Sequence, residues 1–276
     1  MNDRKVALAA LFIILLLGGL QLQAEQTGEI IPTHGNTRDH YGHTPAPVMP
    51  EEIATDRPDF TESELVVPAG MIQIENGMTF ERNNADYNFG LPESLFRFGT
   101  TDTFEFRVGA PLFNVQKTGG ERDNGWGDTY LGFKYQIGPL PGDIGLSIIP
   151  AVFAPTGDNG YTSDAWDPEV KICYSKDIDE VFSIAGMSYF SLPTENGERN
   201  WAYQQTATFN MGVTNKVGAF IEYAGSAFES GTPEHLLHQG FTYLLNNNNL
   251  LDVHYGLGVN EAATGDFLAA GWSVRF

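Results

Sequence analysis

Residues 95–109 read LFRFGTTDTFEFRVG. Phe96, Phe98, Phe104 and Phe106 alternate with Arg97, Glu105 and Arg107 on either side of a polar break. A period of two sets successive side chains on opposite faces of a strand, so one face here is apolar and the other charged. A three-residue loop at Thr100, Thr101 and Asp102 keeps these faces matched across a hairpin, pairing Phe98 with Phe104, Phe96 with Phe106 and Arg97 with Glu105. The same loop length at Thr214–Lys216 pairs Met211 with Ala219, Phe209 with Ile221 and Thr208 with Glu222. At Asn246–Asn248 it pairs Tyr243 with Leu251 and Phe241 with Val253.

The pattern extends from Gly70 to Phe276, broken by Gly, Asn, Asp and Pro clusters, and no convincing 3.6-residue period interrupts it. It predicts about twelve strands, near 70–82, 90–99, 103–111, 126–138, 143–155, 168–176, 181–192, 200–213, 217–226, 236–245, 249–258 and 266–276. The fold class is all-β, an antiparallel up-and-down sheet. Connections after even strands are short and most after odd strands are long, the first, at 83–89, fitting least well. Short turns at one end and long loops at the other are the habit of outer-membrane barrels.

Charge placement separates a membrane barrel from a soluble sandwich. Glu75, Glu93, Arg97, Glu105, Arg107, Lys134 and Glu222 fall on the polar faces and are the candidate lumen-lining residues. Opposite faces carry almost no charge, as hydrocarbon requires, since a midplane Lys or Arg costs about 2–4 kcal/mol. The closing stretch GWSVRF, 271–276, places Trp272, Val274 and Phe276 on the lipid face of a final strand that pairs with the first. These three residues form a candidate signal for barrel assembly machinery, with outer-membrane lipids as the other expected partner.

The chain has 276 residues, 35 acids against 15 Lys plus Arg, and a formal charge of -20, which excludes a phosphate-backbone partner such as nucleic acid. Cys173 is its only cysteine, so no intrachain disulfide or CxxC site forms. Residues 1–24, MNDRKVALAALFIILLLGGLQLQA, have the order of a signal peptide: basic residues, an apolar run, then small and polar residues before a cleavage at Ala24. Residues 25–56 are polar and proline-containing, expected to be a disordered periplasmic arm. His34, His40 and His43 in it are close enough in sequence to share a metal, a spacing that in such a tract is more often incidental. Residues 57–69 begin RPDFTES, a segment suited either to lie in the lumen as a plug, through Arg57, Asp59 and Phe60, or to strap the periplasmic side; the barrel proper is 70–276.

The blocks IATDRPDFTESELVVPAG (53–70), LPESLFRFGTTDTFEFRVGAP (91–111), GWGDTYLGFKYQI (125–137) and VGAFIEYAG (217–225) resemble the bacterial family labelled "putative meta-pathway of phenol degradation". The resemblance covers 54–276 and implies an outer-membrane barrel passing small molecules, aromatic or otherwise apolar. It carries no established functional residues.

No GxxxxGK[ST], HExxH, GxSxG or complete GxGxxG is present, so neither a cofactor nor an energy source for transport is implied. No catalytic or metal-ligating set is assigned. The alternatives are a barrel hydrolase assembling Ser226, His238, His254 and Asp252 from separate strands, a structural barrel, or a secreted β-domain that binds ligand. The reading that best fits the residues is a passive, filtering pore exported to the outer membrane.

Overall fold

The computed structural model describes residues 52–276 except Thr264. The signal peptide, most of the arm and the three arm histidines lie outside the described residues.

In chain order the strands are β1 (Ile72–Asn83), β2 (Asp86–Leu91), β3 (Leu95–Thr101), β4 (Phe104–Gly109), β5 (Phe113–Thr118), β6 (Glu121–Trp126), β7 (Thr129–Gln136), β8 (Gly145–Ala154) and β9 (Asp167–Asp177). They continue with β10 (Phe182–Ser191), β11 (Thr194–Glu195), β12 (Glu198–Arg199), β13 (Ala202–Gly212), β14 (Val217–Phe228), β15 (Glu234–Asn246), β16 (Asn249–Gly258) and β17 (Asp266–Arg275). Twelve of them, β1, β3, β4, β7–β10 and β13–β17, follow one another antiparallel, and β17 pairs with β1 to close the barrel. Phe276 exchanges both backbone hydrogen bonds with Ile72, so the last residue of the ladder is held at the seam. Closure leaves these twelve strands without a free edge, the condition for crossing hydrocarbon with strands.

Three departures from the expected layout share one origin. β2, β5 and β6 extend β3, β4 and β7 beyond short breaks at 92–94, 110–112 and 127–128. β2 pairs with both β1 and β5, and β5 with β6. The first connection is therefore the tight turn Asn84–Ala85 rather than 83–89, and the long loop expected before 126 is a hairpin turning at Gly119–Gly120. Both glycines have positive φ, 62° and 93°, which such a two-residue turn requires. Pro92 and Pro111, lacking an N–H, sit in two of the breaks.

The opening hairpin also differs in register. Phe98 faces Phe106, Phe96 faces Val108, and Arg97 faces Arg107, not Glu105. Thr100 is an extra residue bulged between Gly99 and Thr101, and the turn tightens to Asp102–Thr103. The slip is by two residues, so each side chain keeps its face. The hairpins at 214–216 and 246–248 pair as expected.

The outer surface exposes Ile72, Met78, Phe80, Phe106, Phe133, Ile184, Phe209, Leu268 and Trp272, an apolar band too extensive for water. Trp272 and Phe276 are exposed at this parity, whereas Val274 is buried.

The wall has one unexplained-by-proline gap. Between Ala185↔Thr208 and Ser188↔Gln205 two β10–β13 pairs are missing. Side chains fill the space: Gln205 Nε2 donates to Met187 O at 3.1 Å and Thr206 O at 2.9 Å, and Met187 N donates to Thr206 Oγ1. Ser188 Oγ and Tyr203 OH donate to Gln205 Oε1. No bulk water reaches such groups within a bilayer. Gln205→Leu is expected to lower barrel stability by about 1–3 kcal/mol, the cost of stranding buried polar partners. The urea midpoint in lipid vesicles measures it; an unchanged midpoint would mean the carbonyls are satisfied otherwise.

Candidate functional site: the barrel lumen

The inward positions form two chemically distinct walls. On β3, β4, β7 and β9, Arg97, Arg107, Lys134 and Lys171 project inward; the first three are at most 2% exposed. Glu75, Glu105 and Glu169 interleave with them. The opposite side carries Glu222 on β14, His238 on β15, Asp252 and His254 on β16, all buried. Period-two alternation alone delivers these groups to one enclosed space.

Residues 53–67 run through that space and complement both walls. Asp56 accepts from Lys134 Nζ at 2.7 Å and from Arg107 at 2.8 Å, and Glu62 pairs with Arg107 and Lys171. Arg57 turns the other way, to Glu93 at 2.8 Å and Asp252 at 3.2 Å. Its guanidinium lies where side chains at Gly77 and Gly271 would be, and these two glycines face each other across the β1–β17 seam.

Backbone donors of the segment are taken by wall carboxylates. Asp56 N and Arg57 N donate to Glu75, Phe60 N and Thr61 N to Glu222, and Val67 N to Glu105. Backbone acceptors are taken by cations: Ala54 O and Leu65 O by Arg97, Ser63 O by Lys134. A coil inside a barrel needs such partners, because each orphaned backbone group carries a desolvation cost.

A hydrogen-bonded chain crosses the second wall. Thr61 Oγ1 donates to Glu222; Glu222 Oε2 meets His238 Nδ1 at 2.8 Å; His238 Nε2 meets His254 Nδ1 at 2.7 Å; His254 Nε2 lies 3.2 Å from Arg57. Phe60 packs against His238 and Phe267, with ring centroids 4.7 and 5.8 Å away.

Of the sequence candidates, Glu75, Arg97, Glu105, Arg107, Lys134 and Glu222 all face inward, and Glu93 lies in the break after β2, bonded to Arg57. Asp59 sits beside Glu222 and Thr208. The carboxylates of Glu75 and Glu105 are bridged by Arg97. The hydrolase set is not assembled: His238, His254 and Asp252 cluster, but Ser226 Oγ bonds Gln204. Among the described residues no group of three or more His, Cys, Asp or Glu is arranged to hold a metal. Ile53 and Asp56, placed in the arm by their polar surroundings in sequence, are buried within the barrel. Sequence reasoning misses Asp56 and Glu62; the signal for them is the density of charge in DRPDFTE, complementary to the charged faces of the wall.

A model of the protein family described as "Putative MetA-pathway of phenol degradation" matches residues 55–276. Among solved structures the chain is similar to the COG4313 outer membrane channel from Pseudomonas putida F1, with 11% identity, a TM-score of 0.61, and 77% of this chain and 98% of that one covered. It is also similar to the KdgM porin in complex with disordered oligogalacturonate, with 11% identity, a TM-score of 0.51, and 75% and 99% covered. At such identities the likeness is one of fold. No curated protein sequence matches the chain.

Proposed function

The chain belongs to the family whose model it matches over residues 55–276, and from that membership and the lumen geometry we propose a passive outer-membrane channel for small molecules, narrowed by residues 53–67. The observation that carries this reading is the pairing of an apolar outer belt with an interior that presents buried ionisable groups on the β3–β9 side and on the β14–β16 side. Such a barrel separates lipid from a polar path. Residues 53–67 act as a plug that leaves a filter rather than a wide bore. No reaction is assigned to the barrel. Export through a leader cleaved at Ala24, and recognition of Trp272, Val274 and Phe276 by assembly machinery, complete the proposal.

The test is planar-bilayer recording of the purified, heat-modifiable protein, with liposome swelling in small neutral solutes alongside. Stepwise conductance and size-limited swelling are expected. A folded barrel that passes neither ions nor solutes, with or without residues 53–66, sinks the reading.

A further inference from the structure

The strands that run past the apolar belt carry an ordered row of cations on their outer face. Arg82 on β1, Tyr87 on β2, Lys117 on β5 and Arg122 on β6 are successive cross-strand neighbours. Strand parity sets them on the side of Phe80 and Trp126, both exposed in the belt. Ring contacts agree: Tyr87 stacks on Phe80 at 6.0 Å, and Phe113 meets Trp126 at 5.0 Å. The next row down the strands is Phe80, Phe89, Val115 and Asn124, followed by Leu91, Phe113 and Trp126. At two residues per row, the cations stand about 7 Å beyond the phenylalanines. This end of the barrel is opposite the short turns at 102–103, 214–216 and 246–248, so the row meets the outer leaflet.

The two faces of this extension are sorted by charge. Glu81, Asp86, Glu121 and Asp123 have the other parity, and the Tyr161 ring lies over that inner side at Gly125. On the outer side Asp266 of β17 stands opposite Arg82 and is bonded to Tyr255. Among the described residues Arg82, Lys117 and Arg122 enter no ion pair. Arg82 Nε donates to Asn84 O at 3.0 Å, which steadies the guanidinium and leaves its terminal nitrogens for another acceptor. A chain with 35 acids and 15 Lys plus Arg thus sets three of its bases in one row above its lipid-facing surface.

We propose that this outer face binds the phosphate groups of an outer-leaflet lipid, held by Arg82, Lys117 and Arg122 while the acyl chains lie along the phenylalanine rows beneath. Guanidinium groups match phosphate oxygens two at a time, and the Lys117 ammonium adds a compact positive charge. Neighbouring strands are ~4.8 Å apart, so the row spans about 14 Å and has room for more than one phosphate. The occupant is a phosphorylated lipid rather than a free anion because the cations continue directly from the surface that meets hydrocarbon. The inference needs the orientation of the barrel in the membrane and holds whether or not the barrel conducts.

The experiment is titration of the micelle-solubilised protein with bis-phosphorylated lipid A and with its dephosphorylated form, bound lipid being counted by native mass spectrometry. Inorganic phosphate is added as a competitor, and each series is run in magnesium and in EDTA. Saturable binding of lipid A is expected in both, with no displacement by inorganic phosphate. Arg82→Gln/Lys117→Gln/Arg122→Gln should bind lipid A about a hundredfold more weakly, roughly fivefold for each cation beside an anionic lipid. Lys176→Gln/Lys216→Gln removes exposed charge at the opposite end and should bind as the unaltered chain does. Heat-modifiable migration checks that both variants fold.

Unchanged affinity in the triple variant would overturn the proposal. So would equal losses in the two variants, which would make the effect one of net charge, or equal binding of dephosphorylated lipid, which would leave only an apolar surface. Loss of binding in EDTA would route the phosphates through a divalent ion instead of these cations, and displacement by inorganic phosphate would leave a free-anion site; either result also overturns it.

Discussion

Arg97→Met lowers the unfolding free energy of the barrel by about 3–5 kcal/mol, the usual cost of removing one partner from a buried ionic cluster. Arg97 and its partners Glu75 and Glu105 have no measurable exposure. The guanidinium grips Glu105 through Nε at 2.8 Å and Nη2 at 3.0 Å, reaches Glu75 at 2.8 Å, and bonds Ala54 O and Leu65 O. Methionine fills much of the volume and answers none of these groups. Arg107 and Lys134 remain, but both are already committed to Asp56. Arg97→Lys keeps the charge without the planar fork and should lose less. Urea unfolding in lipid vesicles, supported by the temperature of heat-modifiable migration, measures both. A loss under about 1 kcal/mol, the range of solvated pairs, would mean that water screens the cluster.

The same residues show which parts of this architecture were legible in sequence. Arg97, Glu105, Arg107 and Lys134 could be assigned to the inner face because strand parity is strict and their neighbours Phe96, Phe98, Phe106 and Phe133 are large and apolar. Parity survives a two-residue slip, which is why the bulge at Thr100 moved Arg97 from Glu105 to Arg107 without moving it to the other face. Beyond the apolar belt the signal fades. β6, ERDNGW, is mostly exposed, so its strand is specified by pairing to β5 and by the glycine turn rather than by alternation. The path of residues 53–67 is set by ion pairs and backbone bonds to wall residues 18 to 195 positions away. Nothing local in a polar, proline-containing stretch encodes partners at such distances. The packing of Phe60 was hidden for a related reason: the rings it meets, His238 and Phe267, stand on separate strands far along the chain, and only the closed barrel brings them beside it.

Deleting residues 53–66 should raise single-channel conductance several-fold and still yield a folded barrel. At first sight the second half is surprising, because the deletion removes Asp56 and Glu62, the anions facing Arg107, Lys134 and Lys171. The difference from Arg97→Met is what replaces the lost groups. A point substitution leaves the segment in place and the carboxylates dry, whereas removing the segment opens the lumen and lets water hydrate each wall charge. The deleted stretch holds four acids, Asp56, Asp59, Glu62 and Glu64, and one base, Arg57, so its loss makes the formal charge of the chain more positive by three. Reversal potentials in a salt gradient should therefore shift toward anion preference. The two perturbations should also be strongly non-additive: in the deleted barrel Arg97→Met should cost much less than in the full chain, because its former partners are wet. Unchanged conductance after deletion would show that residues 53–66 do not narrow the path. A full-sized Arg97 penalty in the deleted barrel would show that the wall charges stay buried without them.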